Sequence, residues 1–181
     1  MGLIVPTFSV RPLLYLHEDV TAGVLRVYHS KIKQEVLHPS ETHERMMARV
    51  LAYCINAEEH LSFTKGLSST EEPALWVKSL DGQISSWIDV GEPSLERIKK
   101  ATRISQVVKV YTFNTKSELW WSRISAAVNP LPVSVFRFQY ASLQALTAML
   151  QRTMAFSVTI SEESAFIATA MGECEVNWLA C

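Results

Sequence analysis

The chain has 181 residues, of which 48% are hydrophobic and 19% charged, and its formal net charge is −1. This composition suits one folded domain spanning residues 1–181 and excludes an intrinsically disordered chain. The near-neutral charge excludes a global basic field, so any nucleic-acid surface must be a local patch. Cys54, Cys174 and Cys181 form no C-x-x-C pair, which speaks against a zinc ribbon or a disulfide framework. Cys54 falls in a helical apolar stripe and reads as a small buried hydrophobe. Met1–Val10 is interrupted by Pro6 and Ser9 and lacks a charged leader, so it does not read as a signal peptide. There is no run of about 18 apolar residues, so no membrane segment is expected. The expected compartment is the cytoplasm.

Residues 3–10 and 24–33 alternate in polarity and read as two strands of an antiparallel hairpin. Pro12 places a bend or a sheet edge there. Arg26, His29, Lys31 and Lys33 form either a solvated strand face or a basic patch. His38-Pro39-Ser40 marks a helix start with Ser40 as N-cap. Glu41 and Glu44 then lie in the first turn, where the helix dipole favours anions. Met47, Val50, Leu51, Cys54 and Ile55 recur at helical spacing. Glu44 shares a face with Met47, Ala48 and Leu51. Arg45, Arg49, Asn56 and Glu59 occupy the other faces.

Leu61–Leu67 reads as a short strand and Ser68–Glu72 as a polar loop. Pro73–Leu80 and Ile84–Val90 read as strands joined by the Asp81-Gly82 turn. Asp89 shares a face with Trp87 and Ser85. An acid at the end of an apolar strand is costly unless something pairs with it or binds it. An Asp that closes the strand and an Asp that holds a ligand both fit. Pro93-Ser94 opens a second helix, with Leu95, Ile98 and Ala101 on one face. Lys99 shares a side with Leu95 and can lean over the sheet, and Lys100 lies one turn from Glu96 as a good i,i+4 pair. A solvated basic face fits both lysines equally, and holds for at least one of them.

Val107–Phe113 is strongly β-forming and follows a strand and a helix. A parallel, right-handed crossover is expected. Ser117–Val128 is helical, with Trp120, Ile124 and Ala127 on one face and Trp121 beside them. Val133–Phe138 is a strand, and Ser142–Arg152 a helix with Leu143, Leu146 and Leu150 buried. The tail, Phe156–Leu179, reads as an antiparallel meander with one wet face. No phosphate loop, dinucleotide fingerprint, H-E-x-x-H or G-x-S-x-G motif is present. Carboxylates and lysines are the chemistry-bearing residues that remain.

From His38 to Ala52 the sequence HPSETHERMMARVLA resembles the YaeQ family of small bacterial proteins. FTKGL (Phe63–Leu67), Glu72-Pro73 with Trp76, WIDVG (Trp87–Gly91), RIKKA (Arg97–Ala101) and Trp120-Trp121 agree in order. The resemblance implies an α/β fold with a restriction-endonuclease-like, or PD-(D/E)XK, core. Such a core has a helix, three strands, a helix and a strand, giving a mixed β-sheet flanked by helices. An N-terminal β-hairpin and C-terminal antiparallel strands would be added to it. The resemblance also implies a Mg²⁺-dependent nuclease-like phosphodiesterase. Glu44 matches its helix acid, Glu72 its second acid and Asp89 its third, all three as metal ligands. Lys99 or Lys100, with Lys78 as a further source, would stabilise charge on the scissile phosphate. Two positions depart from the motif, because Ala74 stands where it has Asp and Gly91 where it has Lys. A second reading therefore stays open: a non-catalytic nucleic-acid- or protein-binding module on the same frame. Its candidate surface is Arg26, Lys31, Lys33, Lys99, Lys100 and Arg103.

Overall fold

The computed structural model describes residues 7–14, 26–35, 41–64, 71–151 and 153–181. In chain order the elements are β1 (Thr7–Leu14), β2 (Arg26–Glu35), α1 (His43–Ile55), β3 (Leu61–Phe63), β4 (Leu75–Lys78), β5 (Ile84–Val90) and α2 (Leu95–Ile104). β6 (Ser105–Thr112), α3 (Ser117–Val128), β7 (Val133–Phe138), α4 (Tyr140–Ala148), β8 (Thr153–Ile160), β9 (Ser164–Thr169) and β10 (Gly172–Ala180) follow. The result is a mixed α/β fold. The expected order of helix, three strands, helix and strand is present as α1, β3, β4, β5, α2 and β6.

The described strands form one sheet in the order β1-β2-β8-β9-β10-β7-β6-β5-β4-β3. β5, β6 and β7 pair parallel, as strands joined by helical crossovers must. The other pairings are antiparallel. β10 joins the two halves, with Gly172–Asn177 against β9 and Trp178–Ala180 against β7. The N-terminal hairpin pairs through β2 with β8. β1, which carries Pro12, is an edge strand, where a residue without an N–H is tolerated.

Side-chain alternation on β5 and β6 sends residues to two cores. Ile88, Val90, Tyr111 and Phe113 pack with α1 and with Leu143 and Leu146 of α4. Trp87 and Val108 meet Ala101 of α2 on the opposite face, and Val110 meets Ile98. Trp120, Trp121 and Ile124 of α3 are half-buried around that second core. Phe156, Val158 and Ile160 are buried at alternate positions of β8, as a one-sided strand requires.

Several local expectations are corrected. The N-cap of α1 is Thr42, whose hydroxyl accepts the Arg45 N–H at 3.2 Å. Ser40, the expected cap, lies outside the described residues. Glu41 therefore precedes the helix and is buried. Ala127 is exposed, and Val128 takes the packed position on α3. α4 begins at Tyr140 rather than Ser142. β3 ends at Phe63, and residues 65–70, including part of the expected Leu61–Leu67 strand, lie outside the description.

Under α1 a polar network closes the core. The Asn56 amide donates to the Ala52 carbonyl at 2.7 Å and to the Tyr111 hydroxyl at 2.9 Å. Its oxygen accepts from Lys109 Nζ at 2.7 Å. Burial pushes the Tyr111 phenol up to about 12, against the pull of Asn56. Burial also raises the Cys54 thiol to about 12. Both groups are neutral when protonated, and an unfolded chain loses these protons near 9.0 for the thiol and 10.0 for the phenol. Their contribution to stability is thus fully present below about pH 9 and is lost as pH rises toward about 12. Urea unfolding across this window is expected to show a loss of up to about 1.4 kcal/mol per pH unit from each group. Cys54→Ala should move the onset up to about pH 10; an onset that stays in place would remove the thiol from this account.

Candidate functional site

The C-terminal end of β5 is gripped from both faces of the sheet by arginine. Asp89 and Trp87 lie two residues apart and so share a face of the strand. Asp89 is 5% exposed, and its carboxylate needs donors. Arg97 supplies them as a fork, with Nε 2.9 Å from Oδ2 and Nη2 2.9 Å from Oδ1. Trp87 Nε1 donates to Oδ2 at 2.9 Å. Arg97 Nη2 also donates to the Glu72 carbonyl at 2.6 Å. The guanidinium lies 5.5 Å from the centroid of the Trp87 ring. Arg97 can reach because Ser94 caps α2, its hydroxyl accepting the Arg97 N–H at 3.3 Å. That cap fixes the first turn of the helix directly beside the strand end.

On the other face, Glu41, Arg45 and Arg49 recur every four residues and form one line. Arg49 Nη1 contacts both Glu41 oxygens, at 3.0 and 2.9 Å. Arg45 Nε lies 3.4 Å from Glu41 Oε1. Arg45 Nη1 donates to the Val90 carbonyl. Among the described residues, the Nε atoms of Arg45 and Arg49 are buried without a hydrogen bond. Burial pushes the Arg45 guanidinium below its ordinary value, Glu41 pulls it up and Arg49 pushes it further down. Asp89 and Arg97 act on the same group, so the two arginine clusters share one electrostatic neighbourhood.

The expected site residues are distributed around this neighbourhood. Glu44 is half-buried in the first turn of α1. Glu72 is half-buried in the turn before β4 and gives its backbone carbonyl to Arg97. Ala74 is buried and continues the ladder, its N–H donating to the Ile88 carbonyl at 3.0 Å. Lys99 Nζ lies 3.5 Å from Glu96. Lys100 pairs with Glu71 rather than with Glu96, because its side of the helix faces the 71–72 turn. Lys78 Nζ sits 3.6 Å from the centroid of the Trp76 ring. A cavity of about 320 Å³ opens beside Arg97, lined by Glu71, Trp87, Ser94, Glu96, Arg97 and Lys100.

Mg²⁺ requires several oxygen ligands in near-octahedral order. Among the described residues, no group of three or more His, Cys, Asp or Glu side chains is placed to hold a metal ion. Both Asp89 oxygens already face N–H donors. Among the described residues, these side chains do not fit the ion that the resemblance implies.

Glu41, Arg45, Arg49 and Arg97 were absent from the expected site. A signal existed for each. The four-residue spacing of Arg45 and Arg49 marks one face of α1, and Glu41 lies one such step ahead of it. The cost of burying Asp89 demanded a partner, and Arg97 at the third position of a capped helix is a fitting one.

Gly91 has φ +114°, a conformation that other residues rarely adopt. A Cβ there would lie 3.2 Å from Arg45 Nη1. Gly91→Ala should therefore destabilise the chain by about 1–3 kcal/mol in urea unfolding, from backbone strain and displacement of Arg45. Wild-type stability in that variant would remove Gly91 from the grip on β5.

Proteins of known sequence and structure agree with this architecture. A family model described as YaeQ protein matches residues 21–178. An uncharacterized YaeQ protein of Escherichia coli (strain K12) is 36% identical over 145 residues, covering 79% of this chain and 80% of that protein. Its counterpart in Salmonella typhi is 34% identical over the same shares. Crystal structures of YaeQ proteins from Xanthomonas axonopodis pv. citri and Pseudomonas syringae match with a TM-score of 0.78, at 32% and 33% identity. Each match covers 84% of this chain and 86% of the other. The chain belongs to the YaeQ family.

Proposed function

We propose that this chain acts by binding, as a non-catalytic module on a nuclease-like frame, rather than by Mg²⁺-dependent phosphodiester cleavage. One observation carries this reading: both oxygens of the Asp89 carboxylate accept N–H donors from Arg97 and Trp87. A metal-ligating acid must present its oxygens to the ion, and here they are turned to a guanidinium and an indole. The order α1, β3, β4, β5, α2, β6 supports the restriction-endonuclease-like frame. Ala74, just before β4, stands where the motif has Asp and adds no carboxylate.

A protein partner is favoured over nucleic acid. A phosphate backbone calls for several available cations along one track. Lys99 is paired with Glu96 and Lys100 with Glu71. Arg26, Lys31 and Lys33 belong to β2, which β8, β9, β10 and β7 separate from β6 in strand order. The cavity beside Arg97 offers charges of both signs, which suits polar side chains of a partner protein.

The chain should not cleave single-stranded DNA, duplex DNA or RNA in Mg²⁺ or Mn²⁺ beyond the level of a Glu44→Ala variant. Low-salt titrations with the same oligonucleotides should show no binding. Cleavage that Glu44→Ala abolishes would reinstate the phosphodiesterase, with Glu44, Glu72 and Asp89 as metal ligands and Lys99 or Lys100 beside the phosphate.

A further inference from the structure

We infer that Arg97 is the resident cation of this site and takes the place of a divalent ion between Asp89 and the Glu72 carbonyl. The atom that carries the inference is Nη2. It lies 2.9 Å from Asp89 Oδ1 and 2.6 Å from the Glu72 carbonyl oxygen. A carboxylate and a backbone carbonyl from two segments thus converge on one positive centre, as hard oxygens converge on a bound ion. The guanidinium adds what an ion lacks: a planar fork that meets the second carboxylate oxygen through Nε at 2.9 Å.

The charges match as well. Ala74 supplies no carboxylate just before β4. The single positive charge of the guanidinium offsets the single negative charge of the Asp89 carboxylate it forks. The side chain is also pre-positioned. The Ser94 cap holds the Arg97 backbone, and the Trp87 ring lies beside the guanidinium while its N–H holds the same carboxylate. Arg97 therefore joins α2, the end of β5 and the 71–72 turn without any bound metal. On the α1 side, Arg45 completes the grip at the Val90 carbonyl.

The inference rests on the same Asp89 contacts as the proposed function, and its test reads stability with and without metal rather than cleavage or binding, so the two can fail separately. The test is thermal unfolding of the full chain in chelator, in Mg²⁺ and in Mn²⁺, for wild type, Arg97→Ala, Arg97→Lys, Asp89→Asn and the double variant Asp89→Leu/Arg97→Met. Wild-type Tm should be the same in all three solutions. Arg97→Ala should lower Tm in every one of them. Arg97→Lys should fall short of wild type, because a point charge cannot make the fork. The apolar double variant should melt above Arg97→Ala, because it leaves no buried charge unpaired. It also supplies a folded comparison if the single variant does not fold. A wild-type Tm raised by Mg²⁺ or Mn²⁺, with the rise abolished in Asp89→Asn, would overturn the inference. So would an unchanged Tm in Arg97→Ala, or full recovery in Arg97→Lys.

Discussion

The buried carboxylate of Asp89 is the constraint around which the centre of this molecule is built. Taking a carboxylate out of water costs several kcal/mol, and only close donors offset that cost. Three N–H groups from Arg97 and Trp87 meet it. They can do so only if α2 starts where it does, with Ser94 as its cap and Pro93 and Gly91 in the short link from β5. The link itself is tied down. Gly91 N–H donates to the Tyr111 carbonyl at 2.9 Å, and Trp120 Nε1 donates to the Pro93 carbonyl at 3.1 Å. Helices α2 and α3 are thereby referenced to one strand end.

The sheet carries this arrangement because its parallel centre is covered on both faces. A parallel strand covered on both sides buries apolar residues on each, as Trp87, Ile88, Val90, Val108, Val110 and Tyr111 are buried here. Asp89 is a buried charge among them, and its burial is tolerable only through pairing. The antiparallel strands serve the two ends. β3 and β4 extend the sheet beside β5, and their link with β5 brings the Glu72 carbonyl to Arg97. On the far side β10 divides its length between β9 and β7, so the C-terminal meander and the hairpin beyond it continue the same sheet.

Arginine rather than lysine does the work at the strand end. Each arginine there makes two or more contacts at fixed angles, and each bridges different segments. Arg49 touches Glu41 and the Thr64 carbonyl, Arg45 approaches Glu41 and Val90, and Arg97 holds Asp89 and Glu72. Lys99 and Lys100 make ion pairs with glutamates that are largely exposed. Such exposed pairs contribute little to stability.

Much of the fold was legible in the residues themselves. β5, α3 and β7 fall where alternation, turn chemistry and helical periodicity place them, because those signals are local. The Asp81-Gly82 turn and the Ser94 cap were equally plain. The start of α1 was not, because Ser40 and Thr42 are both good caps. What separates them is the burial of Glu41 against Arg49, a contact between segments eight residues apart. Lys100 likewise chose Glu71 over the local Glu96, because the 71–72 turn lies close to α2 only once β4 and β5 have paired. Asp89 was recognisable from sequence as a carboxylate needing a partner, since its cost follows from the apolar strand around it. Which partner it takes, a metal ion or a guanidinium, depends on where α2 comes to lie against β5, and only the tertiary structure decides that.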